Sequence, residues 1–300
     1  MTNIELSIIT VNYQTPELVN RLVDSLKEFP PRLPYEIIVV DNNSGDNSVD
    51  LISEAHPDIT LLALDKNIGF GGGNNRGVEV ATGSIIALVN SDGVIREESF
   101  NGPVEYLRST NNVGIIGLRV MTPEGFLEQT ARGFPNVSTG LVGRSTLLGK
   151  LLQKLGLAGK GGVAGRNLMV DPDKTEPYDV DWVAGTIKLI TRECWDMVGG
   201  FDEGYFMYWE DADFCKRAHN EGCRVVYYPG ATLYHIAGAS TSRNPVPAIR
   251  YFHQSAYRYI TKHVSPGPSL LRGFAWLALK LRCALKCTVA RMKNSGNNNS

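Results

Sequence analysis

Ser84-Ile85-Ile86-Ala87-Leu88-Val89-Asn90-Ser91-Asp92 is an apolar run that stops abruptly on three polar residues. A short, unbroken apolar stretch reads as a β-strand buried on both faces, which implies a parallel sheet covered by helices. The same pattern recurs toward the amino terminus. Residues 5–12 form a similar run that ends in Thr10-Val11-Asn12. Glu36 to Val40 is a second, with Asp41 at its carboxyl end, and Ile59 to Leu64 is a third. Between these runs the period lengthens to that of a helix. Thr15-Pro16 supplies an N-cap and a proline at the first helical position, and Leu18, Leu22, Leu26 and Phe29 recur at helical spacing. Further helices are expected from about Asp46 to Ala55 and from about Gly73 to Ala81. Strands alternating with helices through residue 118 predict an α/β fold with a doubly wound, mainly parallel sheet. Ligands of such sheets sit at the carboxyl ends of the strands, where Asn12, Asp41 and Asp92 fall.

The rest of the chain is less regular. Residues 119–180 show no sustained period. Within them 147–163, rich in Leu, Gly and Lys, reads as a loop over the site or as part of an acceptor surface. Val183 to Thr191 reads as a strand, and Asp211 to Glu221 as a helix closed by Gly222. Arg224 to Tyr228 and Ala231 to His235 read as two short strands. Beyond Pro266-Gly267-Pro268, Leu270, Phe274, Leu277, Leu281, Leu285, Val289 and Met292 recur at steps of three or four. Arg272, Lys280, Arg282, Lys286, Arg291 and Lys293 are interleaved, so residues 265–293 are expected to hold a basic amphipathic helix. Such a helix either packs on its own domain or lies on a membrane surface. The polar tail 294–300 is expected to fray.

Composition sets the outer limits. Hydrophobic residues make up 43% of the 300 and charged residues 20%, as in an ordinary globular domain. The net charge of −1 conceals a split. No Asp or Glu follows Glu221, so residues 222–300 carry +11 and the first 221 carry −12. That asymmetry points to a surface facing phosphate-rich material, an anionic lipid or a nucleic acid. Only Phe274 and Trp276 offer stacking surfaces in the basic tail from Leu270 onward, which disfavours nucleic acid. Five cysteines without a CxxC pair suggest neither a disulfide framework nor a zinc site. The amino terminus enters a strand with no signal-peptide pattern, and no apolar run reaches about 18 residues. The chain is therefore expected to be cytoplasmic, at most peripheral at the inner face of the membrane.

Four features are candidates for chemistry, and each has a structural alternative. Asn67-Ile68-Gly69-Phe70-Gly71-Gly72-Gly73-Asn74-Asn75-Arg76-Gly77 is a glycine-rich loop that could admit a diphosphate to the backbone, or simply turn the chain. Asp41 and Asp92 could hold a base or a metal, or cap their own turns. Trp209-Glu210-Asp211-Ala212-Asp213 could provide a general base, or three acids that complement a helix dipole. His235 could be a ligand or a structural imidazole.

Taken together, these segments resemble glycosyltransferase family 2, in the branch of bacterial rhamnosyltransferases and galactofuranosyltransferases. The resemblance rests on Ser7 to Tyr13, Val39 to Ser44, Asn67 to Gly71 with Asn74-Asn75, and Leu88 to Asp92. It continues through Trp182 to Gly185, Gly199 to Glu203, Trp209 to Asp213, and His235 with Gly238 and Ser240. It implies a GT-A fold over residues 1–264, with a nucleotide-binding half (1–118) and an acceptor and catalytic half (119–264). It also implies a nucleotide-diphosphate sugar donor, Mg²⁺ or Mn²⁺, and inversion at the anomeric carbon. By the same resemblance Thr10, Asn12, Asp41, Asn43, Asn67, Gly69, Phe70, Asn75, Asn90 and Ser91 line the nucleotide pocket. Asp92 and His235 hold the metal. Asp211 is the catalytic base with Glu210 beside it, and Trp182, Gly185 and Trp209 face sugar or acceptor. Asn90 stands where the family's D-x-D motif has its first Asp, and Ser91 where this branch often has Pro.

The donor implied first is dTDP-L-rhamnose, with UDP-sugars as the alternative, and the acceptor is lipid-linked or a polysaccharide. A nucleotidyltransferase is disfavoured because Leu6 to Pro16 contains no Lys or Arg. A non-catalytic nucleotide-sugar-binding protein could dispense with Asp211. The enzyme reading requires the fold to gather Asp92, His235 and Asp211 around one cleft.

Overall fold

A computed structural model of the chain describes residues 3–135, 168–236, 245–265 and 269–297, the last five of these as backbone alone. Residues 147–163, Pro266-Gly267-Pro268, and Gly238 and Ser240 of the family resemblance lie outside the described residues.

The first half alternates as expected: β1 (Leu6–Asn12), α1 (Pro16–Glu28), β2 (Tyr35–Asp41), α2 (Ser48–Ala55), β3 (Thr60–Ala63), α3 (Gly69–Val80) and β4 (Ile85–Val89). There follow β5 (Gly93–Val94), α4 (Asn101–Ser109), β6 (Val113–Met121), β7 (Ala131–Arg132), β8 (Tyr178–Asp179), β9 (Trp182–Val183) and β10 (Ile187–Thr191). The remainder is α5 (Arg192–Val198), α6 (Glu210–Asn220), β11 (Arg224–His235), α7 (Pro245–Tyr259), a π-helix (Ile260–Val264) and α8 (Leu270–Asn297).

The main sheet has the order β3-β2-β1-β4-β10-β6-β11-β5, with β8 also paired to β11. Strands β1 to β4 run parallel, and β10 enters antiparallel between β4 and β6. This is the mixed but mainly parallel sheet of a GT-A fold. Successive strand residues point to opposite faces. On one face Leu6, Ile8, Ile37, Val39, Ala87 and Val89 meet Val19, Leu22 and Leu26 of α1 and Ile52 of α2. On the other Ile9, Ile38, Val40, Ile86, Leu88 and Ile190 meet Val78 of α3, Trp195 of α5 and Phe214 of α6. Strands buried on both faces explain why the sequence shows runs rather than alternation.

Several elements depart from the sequence expectation. The glycine-rich segment is not a loop: α3 begins at Gly69, four residues before the expected start. Glycine lowers helix propensity, but close packing demands it here. A Cβ at Gly77 would stand 2.5 Å from Ile9, and one at Gly69, whose φ is +81°, would strike the carbonyl of Phe206. The two short strands expected from 224 to 235 are one strand, β11, whose pairing with β6 shifts register between Tyr228 and Thr232. Pro229 and Gly230 fall at that irregularity, where a sheet tolerates them. Conversely, the expected strand from Val183 splits at Ala184-Gly185-Thr186. Thr15 precedes α1 with Pro16 at its first position, but the Thr15 hydroxyl makes no cap and instead donates to Asn12. Helix α8 continues through Asn297, so residues 294–297 are helical rather than frayed.

Candidate active site

The order of the strands reverses between β1 and β4, and the polar residues gather at the carboxyl edge of that switch point. Asn12 and Asp41, the last residues of β1 and β2, are in register and hydrogen-bonded side chain to side chain at 2.7 Å. Asp41 also accepts from the hydroxyl and backbone N–H of Ser44, so its carboxylate organises its own turn. Asn43 in that turn is exposed with φ +57°. Asn67 accepts from Gly69 N, and Asn42 bonds both Ile68 N and Gly69 O, which together pin the entry to α3. The Thr10 hydroxyl is buried and unpartnered. Ser91 approaches Thr15 at 3.5 Å, and the buried Asn90 Oδ1 has no partner.

Beyond β4 the chain turns through Asp92 into β5, which pairs with the end of β11 and places Gly93 opposite His235. His235 Nε2 lies 3.1 Å from Asp92 Oδ1, and Nδ1 lies 3.0 Å from Glu128 Oε1. Burial alone would lower the His235 pKa, but the two carboxylates outweigh it and push it up to about 10. Asp92 and His235 are thus brought together, with Glu128 as a third member that the sequence pattern did not reveal. Among the described residues no set of three or more His, Cys, Asp or Glu side chains is placed to cage an ion alone.

Asp211 reaches the same edge from the other side. Asn90 N donates to Thr186 O, which ties the end of β4 to the break before β10. Within that break a Cβ on Gly185 would stand 2.8 Å from Asp211 Oδ2 and 3.2 Å from the ring of Phe70. Phe70, Gly185 and Asp211 are therefore neighbours. The Asp211 carboxylate, 13% exposed, pairs through Oδ1 with the buried Lys188 of β10. Lys188 is the other participant the motifs missed, and its one signal is a cation inside Ile187-Lys188-Leu189-Ile190. Glu210 is buried, and its pKa is pushed up to about 8 by burial first and the adjacent Asp211 second.

The segment leading into these acids is strained. Tyr208 and Trp209 are both left-handed, at φ +68° and +69°. Non-glycine residues in that region cost about 1–3 kcal/mol each and persist only where surroundings hold them. The Phe252 ring packs on both, Tyr259 packs on Trp209, and Ser255 donates to Met207 O, so α7 braces the turn. Trp182 and Trp209 flank a common cluster of Tyr205, Ala212 and Tyr259. Asn75 does not join the strand ends. Its amide bonds the backbone N–H and C=O of Phe201, and it lines a separate groove of about 470 Å³ with Arg76, Arg192 and Trp195.

A mixed, mainly parallel sheet with polar residues at the carboxyl edge of its switch point defines a class, the GT-A glycosyltransferases. The family model described as glycosyl transferase family 2 matches residues 7–193, and the chain belongs to that family. A second, the N-terminal domain of galactosyltransferase, matches residues 168–238. The chain is 26% identical over 301 aligned residues to N-acetylglucosaminyl-diphospho-decaprenol L-rhamnosyltransferase of Mycobacterium tuberculosis, covering 97% of this chain and 92% of that one. Two solved structures are similar in fold. One is the mannosyltransferase PcManGT from Pyrobaculum calidifontis in complex with GDP-Man and Mn²⁺, with TM-score 0.57, 16% identity, and 98% of this chain and 79% of that one covered. The other is GalNAc-T7 with UDP, GalNAc and Mn²⁺, with TM-score 0.58 and 17% identity. That match covers 92% of this chain, which spans about half (54%) of the GalNAc-T7 chain.

Proposed function

We propose that this glycosyltransferase moves L-rhamnose from dTDP-L-rhamnose to a hydroxyl of a lipid-linked or polysaccharide acceptor, with inversion. The observation that carries the reaction type is the Asp211 carboxylate, held through Oδ1 by Lys188 and lying against side-chain-free Gly185. The acceptor oxygen attacks the anomeric carbon from the face opposite the leaving group, and its proton passes to Asp211. The bond from the anomeric carbon to the diphosphate breaks, and its electron pair departs with the nucleotide diphosphate. One displacement suffices, so no enzyme nucleophile is required.

The donor set suits a hard divalent cation. Asp92 would hold it through its carboxylate, and His235 would join by giving up the proton that its two carboxylate partners favour, while Mg²⁺ or Mn²⁺ habitually takes its other ligands from phosphate and water. Bound there, the ion would supply Lewis-acid stabilisation of the departing diphosphate.

The choice of L-rhamnose is supported by the name of the M. tuberculosis relative, which also acts on a decaprenol-linked substrate. A lipid-linked acceptor agrees with the carboxyl-terminal helix. Leu270, Phe274, Leu277, Leu281, Leu285, Val289 and Met292 of α8 are exposed, and the helix docks by its opposite side through Ala275 and Leu279 against Ala256 and Ile260. No helix among the described residues is long and apolar enough to cross a membrane. An exposed apolar stripe in a segment without acids is suited to lying on an anionic lipid surface at the cytoplasmic face.

The test is a panel of dTDP-, UDP- and GDP-sugars with Mg²⁺ or Mn²⁺ and an N-acetylglucosaminyl-diphospho-polyprenol acceptor, read as nucleotide diphosphate release. Acceptor-dependent dTDP release from dTDP-L-rhamnose is expected. Release from a UDP-sugar instead overturns the donor, and release from none overturns the reading.

A further inference from the structure

Lys188 is fully buried, with no exposed surface, on the face of β10 that Ile190 shares and that packs against α6. An ammonium taken out of water is costly unless it is paired, and a hydrophobic residue at this position would keep the core without that cost. Its described partner is Asp211 Oδ1, and its Nζ also lies 5.4 Å from the centroid of the Phe201 ring. The other titratable groups it influences are Glu210 and Cys215, both of α6. The buried lysine is thus aimed at the carboxylate that the proposed reaction uses as its base.

The pair is asymmetric. Asp211 stands in the first turn of α6, two residues after the left-handed pair Tyr208-Trp209. Lys188 comes from the sheet, which is rigid, and takes Oδ1. Both oxygens lie beside Gly185, where an added Cβ would stand 2.8 Å from Oδ2 and 3.1 Å from Oδ1, and Oδ2 is the one that Lys188 does not take. A general base must hold its acceptor atom within hydrogen-bond reach of the proton it removes. We propose that Lys188 is a positioning residue for glycosyl transfer: it anchors Oδ1 of Asp211 from the sheet and presents Oδ2 to the acceptor hydroxyl. Lys188 touches no reacting atom in this role. The proposal rests on Asp211 being the base.

The experiment is a double-mutant cycle in the full chain, read as dTDP release from dTDP-L-rhamnose with the lipid-linked acceptor. Lys188→Met is expected to lower kcat about 10- to 100-fold with the donor KM unchanged, since the displaced group serves the transition state and not donor binding. In the Asp211→Asn background the same change is expected to alter kcat by less than about threefold, because a residue acting through Asp211 has nothing left to act on. Equal losses in both backgrounds would reveal a purely structural role and overturn the proposal. A wild-type kcat for Lys188→Met beside an impaired Asp211→Asn sinks the positioning role and leaves the base intact. Wild-type turnover by Asp211→Asn sinks the base reading and this proposal together. If Lys188→Met does not fold, Lys188→Arg carries the comparison, because a planar fork cannot reproduce a point contact. It is expected to lose kcat at constant KM, and an unchanged kcat contradicts the proposal.

Discussion

Two adjacent carboxylates, Glu210 and Asp211, occupy the first turn of α6, and burial separates their chemistry. Glu210 lies inside the protein with its pKa well above that of an unfolded chain, which is about 4.3. Between those values the folded chain holds a proton that the unfolded chain has released, so stability falls as pH rises across the interval. Glu210→Gln imitates the neutral form. Its melting temperature is expected to gain on the wild type progressively from about pH 5 to about pH 8, with turnover at neutral pH within a few-fold. A hundredfold loss of turnover at pH 7, or a melting difference flat with pH, would contradict that assignment. Motif resemblance singled out Asp92, His235 and Asp211 as candidates, because acids and a histidine at strand and helix ends leave a legible trace. Glu128 and Lys188 left little. Glu128 sits in a segment without period, and a single lysine in an apolar strand gives no hint of its partner 23 positions away.

At the scale of elements, the alternation of strand and helix was readable because burial on both faces of the sheet leaves long apolar runs. The failures were places where tertiary contact overrides local preference. The glycines of α3 looked like a loop, yet they bring the helix down onto β1 and β2 and dock the Phe206 carbonyl against its first turn. Gly77→Ala is expected to cost about 1–3 kcal/mol, since its Cβ would press on Ile9 and Val40 in a packed interface. Chemical denaturation measures this, and an unchanged midpoint would mean that α3 can shift freely. The left-handed pair Tyr208-Trp209 was likewise invisible in the sequence, because it is imposed by α7, which lies more than 35 residues further along the chain. Through that contact the carboxyl-terminal helices brace the turn that aims Asp211.

At the scale of the molecule, α7 and the π-helix are fastened to α6 and the segment before it by charge as well as by aromatic packing. Buried Asp213 of α6 accepts from Arg217, Lys262 and His263, and Asp202 accepts from Arg258 and Lys262. Burial would raise the Asp213 pKa, but these hydrogen-bonding partners hold it far below the usual carboxylate range. The resulting stability is present above the unfolded value of about 3.9 and is lost as pH falls toward the folded value. Asp213→Asn is expected to lose about 3–5 kcal/mol at neutral pH, with the gap to wild type narrowing below about pH 4. A gap constant with pH would contradict it. The exposed stripe of α8 makes a separate prediction. Combining Phe274→Glu, Leu281→Glu and Leu285→Glu is expected to leave the melting temperature nearly unchanged and to abolish co-sedimentation with phosphatidylglycerol vesicles. Retained sedimentation would mean that these side chains face something other than lipid.

In the proposed reaction the carboxyl edge of the sheet delivers Asp211 to an acceptor hydroxyl. The most direct measurement is single-turnover transfer by Asp211→Asn beside wild type, with nucleotide affinity measured on the same samples. The expected result is a loss of about 10²- to 10⁴-fold in the transfer rate with dTDP affinity unchanged. Transfer at the wild-type rate would contradict the account.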